Sequence, residues 1–196
     1  MRNLVKVFNV IILCLLCNFA QAKEFKKYIS TFDDAKYKGN FAKFDYVDLN
    51  AKKGGVLKLG VEGGFNSLNQ FILKGIAPAG ISYLYDSLTE DSLDEISVRY
   101  PLIGESIFLS SDRKSIEFKL NKKARFHDGT PITAYDVVFT FNKLFNDGHP
   151  SYKMIFRDVL GVEKINLHQV RFNFKNNQNR DLPLLVASQS ILPKHY

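Results

Sequence analysis

Four histidines, two cysteines and a few adjacent acid pairs are the side chains of this 196-residue sequence that could do chemistry. His127, His149, His168 and His195 are scattered and match no His-Glu-x-x-His spacing, so on their own they define no zinc site. Gly104-Glu105-Ser106 begins like a nucleophile elbow, but Phe108 stands where the closing glycine is needed. Gly60-Val61-Glu62-Gly63-Gly64 is neither a dinucleotide fingerprint nor a phosphate loop, since no Gly-Lys-Ser/Thr follows. Asp33-Asp34 and Glu90-Asp91 read as solvated surface. His127-Asp128 invites a metal or catalytic reading, yet Asp128-Gly129 makes a turn that His127 would help to close. These residues point to no enzyme, no cofactor and no metal.

One stretch suits a ligand. Val56 to Val61 reads as a short, largely buried strand and leaves through Gly63-Gly64 into Phe65-Asn66-Ser67-Leu68-Asn69. Flexible glycines and amide side chains at a strand exit suit hydrogen bonding in a cleft, because open α/β folds bind ligands at the carboxyl ends of their strands. An ordinary surface loop fits the same spacing.

The elements that would position this stretch are legible in the hydropathy pattern. Ile81, Leu84, Tyr85 and Leu88 recur at helical spacing, and Pro101 to Ile107 suits an extended segment or a short helical turn. Ser110-Ser111-Asp112 reads as a turn before a strand over 115–120. There Ile116, Phe118 and Leu120 should face the core, and Ser115, Glu117 and Lys119 the other side. Phe126 to Pro131 forms a turn-rich bridge. Thr133 and Asp136 then make a capping pair for a helix whose buried face is Val137, Val138, Phe141, Leu144 and Phe145. Asp147-Gly148 ends it, the glycine being expected in the left-handed conformation. Val162 to Phe174 reads as a hairpin turning near Leu167-His168-Gln169. Residues 23–53 have little periodicity, with Phe41, Phe44, Tyr46 and Val47 free to pack on a neighbouring surface.

The first 22 residues differ from the rest. Arg2 and Lys6 precede an apolar run from Val7 to Cys17, broken by Asn9, and Ala20 and Ala22 complete the pattern of a secretory signal peptide cut after Ala22. The run is short for a membrane span. Cys14 and Cys17 both lie in it, so the exported chain would hold no disulfide. Leu16 before Cys17 argues against a lipid anchor. The whole chain carries +7, and without Arg2 and Lys6 it keeps 25 basic against 20 acidic residues. Basic residues interleaved with acids describe a mildly basic solvated surface, and export speaks against a nucleic-acid partner.

Residues 102–139 resemble the family 5 extracellular solute-binding proteins of ABC importers. The resemblance rests on Leu102-Ile103-Gly104-Glu105-Ser106, Ser111-Asp112, Phe118-Lys119-Leu120 and the contiguous run Phe126-His127-Asp128-Gly129-Thr130-Pro131-Ile132-Thr133-Ala134-Tyr135-Asp136-Val137-Val138-Phe139. Phe44-Asp45-Tyr46-Val47, Lys53-Gly54-Gly55, Phe65 to Asn69 and Leu192-Pro193-Lys194-His195-Tyr196 are similar to the branch that binds oligopeptides and the antibiotic microcin C. Ile107 stands where that family usually has Trp, and Arg113 where it usually has Gly.

The resemblance implies an α/β periplasmic binding protein-like fold of type II, with an incomplete first lobe. Residues 1–22 would be the signal peptide, 23–55 a lead-in segment and 56–196 the N-terminal part of lobe I. Its function would be to bind a peptide between two lobes in the periplasm and deliver it to an ABC permease in the inner membrane. Phe65, Asn66, Ser67 and the loop Ala77-Pro78-Ala79-Gly80 are the expected ligand contacts. Family members are longer, so the first reading is a truncated binding protein, and the second is a half-receptor whose partner is a separately encoded C-terminal part. A non-transport envelope protein or an enzyme reusing the lobe is the alternative from a different class. The ending is expected to expose Leu182, Leu184, Leu185, Val186, Ile191 and Leu192, as an interrupted fold would.

Overall fold

The computed structural model describes residues 23–32 and 34–196. Residues 1–22, where the expected signal peptide falls, and Asp33 lie outside them. Six-residue alternation builds the centre of the molecule. Strand β5 (Ser115–Leu120) is flanked by β4 (Gly104–Leu109) and β7 (Gln169–Phe174), and β6 (Val159–Asn166) closes a four-stranded antiparallel sheet in the order β4-β5-β7-β6. Phe118 pairs with Val170 and Ile116 with Phe172, so the apolar positions of adjacent strands stack on one face. The two-residue turn at Leu167-His168 falls where the hydropathy pattern puts it.

Glu117 departs from the simple alternation. It points away from the core residues of its own strand, yet it is as buried as they are. The segment from Lys23 covers that face: the backbone of Lys26 exchanges hydrogen bonds with Ile107, and Phe25 packs on Phe108. The buried carboxylate accepts from Lys23, from Arg171 Nε at 2.8 Å and from Gln169 Nε2 at 2.7 Å. Burial alone would raise its pKa, but these three donors together hold it below the usual carboxylate value.

Helix α1 (Ala134–Asp147) lies across β6 and β7, with Val137, Phe141 and Leu144 in the core and Val138 and Phe145 partly covered. Its start is as expected: the Asp136 carboxylate accepts from the Thr133 amide at 2.9 Å and from the Thr133 hydroxyl at 2.8 Å. Its end is at Gly148, but in extended rather than left-handed backbone (φ −78°). The glycine is required there by space. A Cβ would lie 2.5 Å from the Leu144 carbonyl oxygen and 2.9 Å from the Tyr152 ring. A short helix, α2 (Ser151–Ile155), follows.

The chain's last stretch does not expose its apolar residues. Leu182, Leu184, Val186 and Ile191 are buried and Leu185 and Leu192 are half-buried, because α3 (Leu182–Ala187) turns the first set into the main core. Pro183 sits in the first turn, where a helix tolerates it. Each fully buried aliphatic side chain contributes about 1.5–3 kcal/mol, so this segment is a structural part of the lobe.

The other sheet is small. Strands β1 (Ile29–Ser30), β3 (Val98–Pro101) and β2 (Thr89–Asp91) pair antiparallel in that order. Beside it Tyr37, Phe41, Phe44 and Tyr100 form an aromatic cluster with ring centroids 5.0–5.7 Å apart, and Tyr46 stacks on Phe44. Val47 remains exposed. Two expectations fail nearby. The pattern over 81–88 yields only a 3-10 turn, Ile81–Leu84, after which the chain runs extended to a bridge between Ser87 and Ser190. Leu88 is buried there as part of an extended segment. Val56 to Val61 forms no strand: it is fully exposed and pairs with none of the described residues.

Candidate ligand-binding site

Residues 66–76 close on themselves. The amides of Asn66 and Ser67 donate to the Ile76 carbonyl at 3.0 and 3.1 Å, and the Ile76 amide returns a bond to Asn66 Oδ1 at 2.7 Å. Gly75 is in left-handed backbone (φ +92°), and a Cβ on it would fall 2.6 Å from the Ser67 Cβ. Ser67 Oγ accepts from the Asn69 amide and Asn69 Oδ1 from the Phe71 amide, so the inside of the loop is held by its own short polar side chains. The His149 amide, just past α1, donates to the Phe71 carbonyl at 2.7 Å and anchors the loop on the folded body.

This closure places the first set of expected contacts beside the second. Asn66 and Ser67 bond to Ile76, and Ala77-Pro78-Ala79-Gly80 follows immediately, turning at Gly80 (φ +81°) into the 3-10 turn. Phe65 is exposed at the entrance to the loop. Asn66 spends its side-chain carbonyl on the loop itself, and the residue is exposed.

A cavity of about 700 Å³ lies between this loop, α1 and the final residues. Ser67, Asn69, Phe71, Tyr85, Phe139 and Leu192 are among the residues that line it, with the Lys143–Asp147 ion pair (3.0 Å) at its edge. The Phe71 and Tyr85 rings meet edge to face at 4.9 Å. Of the expected contacts only Ser67 reaches the cavity; Phe65, Asn66 and Ala77 to Gly80 lie outside its lining. Asn69 belongs to the stretch that the sequence marks as suited to a ligand, whereas Phe71, Tyr85 and the α1 residues are not among the contacts expected from it. Phe71 and Tyr85 are 14 positions apart, and only the loop closure brings them together.

His127 does not close the turn that follows it. That turn is held by the Phe126 and Thr130 backbones and by Asp128 Oδ1, which accepts from the Thr130 amide at 2.8 Å. The imidazole that meets Asp128 belongs to His195.

The antiparallel sheet with its capped helix, the tethered loop and the apolar hollow define part of a type II periplasmic binding protein. The family model for bacterial extracellular solute-binding proteins, family 5, matches residues 99–196. The chain is 36% identical over 171 residues to a probable peptide-binding protein, YejA, of Agrobacterium fabrum, covering 87% of this chain and 28% of that protein. It is 38% identical over 176 residues to a peptidoglycan-binding protein, YepA, of the same bacterium, covering 85% and 29%. Its fold is similar to that of NikZ from Campylobacter jejuni in complex with Ni(L-His), with a TM-score of 0.56 and 25% identity over 69% of this chain and 27% of that one. The chain belongs to the family 5 extracellular solute-binding proteins, whose members are binding proteins of ABC importers. It spans between a quarter and a third of the length of these relatives. Among the described residues, no helix is long and apolar enough to cross a membrane.

Proposed function

We propose that the chain is the front part of a periplasmic receptor that binds oligopeptides and passes them to an ABC permease. The 36% identity over 171 residues to a probable peptide-binding protein, 87% of this chain, carries this reading. The tethered loop supports it physically. An extended peptide presents backbone donors and acceptors, and the exposed Asn66, with Ser67 and the turn at Ala77 to Gly80 beside it, could meet them. Residues 1–22 would act as a signal peptide cut after Ala22, delivering the receptor to the periplasm.

Known relatives differ in what they bind, as the peptidoglycan-binding and Ni(L-His)-bound examples illustrate, so the test compares ligand classes. The chain would be joined to the portion of the Agrobacterium YejA beyond the match. Calorimetry with tri- to pentapeptides, muropeptides and Ni–histidine should give heat with the peptides. Binding of Ni–histidine or of muropeptides alone would overturn the oligopeptide assignment.

A further inference from the structure

Along the sequence basic residues alternate with acids, but one end of the main sheet gathers them with few acids. The turn after β5 carries Lys122, Lys123 and Arg125, β6 carries Lys164, and Lys194 precedes the contact of His195 with Asp128. Backbone bonds tie these segments together. The Leu120 amide donates to the His168 carbonyl at 2.8 Å, the Ala134 amide to Leu167 at 2.9 Å and the Ile132 amide to Ala124 at 3.1 Å. Arg125 Nη1 donates to the carbonyls of Lys122 and Ala124, both at 2.8 Å, and holds the basic turn in shape. All of these cationic residues are exposed, and none forms an ion pair with a described residue. Asp128 and Asp136 are the acids of residues 121–136, and residues 164–168 and 192–196 contain none. Both are engaged, Asp128 by Thr130 and His195 and Asp136 within the helix cap. Glu105 stands at this end too, but on β4, at the far edge of the sheet from β6.

The same end carries apolar side chains among its cations. Tyr135, in the first turn of α1, is 48% exposed, and the Lys164 and Lys194 ammonium groups lie 4.9 and 5.2 Å from its ring centroid. Leu167, at the tip of the β6–β7 hairpin, is 49% exposed. We propose that this end of the lobe docks on an anionic phospholipid bilayer. Lys164, Lys194 and the turn from Lys122 to Arg125 meet headgroup phosphates, while Tyr135 and Leu167 enter the interface. A bilayer matches both halves of the patch, because it offers phosphates to cations and an apolar boundary to a tyrosine ring and a leucine. An acidic protein surface would match the cations and leave Leu167 against polar groups. With a handful of charges and no long apolar helix, the contact is reversible. In an exported receptor it would hold the protein beside the membrane that contains its permease.

The chain contains no tryptophan, so Leu167→Trp places a single reporter at the hairpin tip. The full chain carrying it is titrated with vesicles of phosphatidylglycerol and, separately, of phosphatidylcholine. With phosphatidylglycerol the emission should shift to the blue and be quenched by lipids brominated on their acyl chains. Phosphatidylcholine should bind at least tenfold more weakly, and high salt should reverse the shift. Adding Lys164→Glu and Lys194→Glu together should weaken phosphatidylglycerol binding more than tenfold, since each charge near the surface is worth about fivefold. Lys52→Glu with Lys53→Glu reverses the same charge on another exposed stretch and should weaken it far less. Both pairs are exposed and should leave the melting temperature unchanged. Equal affinity for the two lipids, binding without a tryptophan shift, or an equal loss with the Lys52 and Lys53 pair would each overturn the docking face. A tryptophan unmoved by either vesicle would overturn it in favour of an acidic protein surface.

Discussion

His195 Nε2 lies 2.7 Å from the Asp128 carboxylate, joining the end of the chain to the turn that precedes α1, 67 positions earlier. The imidazole also meets the Phe126 ring at a centroid distance of 5.7 Å, and next to it the Lys194 amide donates to Asp136 Oδ1 at 3.0 Å. The final residues therefore hold the Phe126–Pro131 turn and the helix cap in one arrangement.

That contact has a measurable charge signature. The Asp128 carboxyl is held at about 2, first by the Thr130 amide and then by His195. His195→Ala should raise the Asp128 pKa while leaving it below the ordinary aspartate value, because the Thr130 bond remains. The depressed pKa means that Asp128 contributes stability above the unfolded value of about 4, lost as pH falls towards about 2. Carbon-detected NMR titration of the wild type and the variant reads both; an unchanged Asp128 titration would refute the role of His195.

Glu117 is acid-sensitive in the same sense. Its folded pKa lies below the unfolded one, so its contribution is complete above about 4.3 and fades as pH falls through the folded value. Glu117→Gln leaves Arg171 and Lys23 without their anion and should cost about 2–3 kcal/mol near neutral pH. The loss relative to wild type should shrink in acid. Urea melts at pH 7 and pH 3 provide the comparison.

Gly148 tests the reason for the α1 stop. Gly148→Ala should destabilise by about 1–3 kcal/mol, since its Cβ meets the Leu144 carbonyl at 2.5 Å and only a backbone shift relieves it. Were the glycine merely a flexible cap, extended backbone would accept alanine with little change. Thermal denaturation distinguishes these outcomes.

At the start of the same helix, Thr133→Ala should cost about 1 kcal/mol. Asp136→Ala should cost more, because the Thr133 and Lys194 amides lose their acceptor together. Equal losses in chemical denaturation would show that the Lys194 bond contributes nothing.

Asn66→Ala should weaken peptide binding in the joined receptor while costing the chain no more than about 1 kcal/mol, since its bond to Ile76 is solvent-exposed. Unchanged affinity in calorimetry would remove Asn66 from the site.

Local periodicity carried far along this chain. The β5 alternation, the Thr133–Asp136 cap and the β6–β7 turn depend on neighbours in sequence, and each stands where its residues require. The same local pattern misled where distant chain decides. Glu117 alternates like a surface residue, but the segment from Lys23 covers it and Arg171 neutralises it. Ile81 to Leu88 has helical spacing, but Leu88 enters the core as extended backbone beside Ser190.

The loop at 66–76 shows both sides. Its glycines and short polar residues mark a turn by composition, but the cavity joins Phe71, Tyr85, α1 and Leu192 through a fold-wide closure that no spacing encodes. By itself the sequence determined the family, through the run from Phe126 to Phe139, and the local elements whose hydrogen bonds lie within a few residues. Only the tertiary structure decided that the apolar residues from Leu182 to Ile191 are core, that His195 rather than His127 meets Asp128, and that Val56 to Val61 pairs with none of the described residues. Burial and strand pairing are properties of two segments at once, and the hydropathy of one segment does not specify the other.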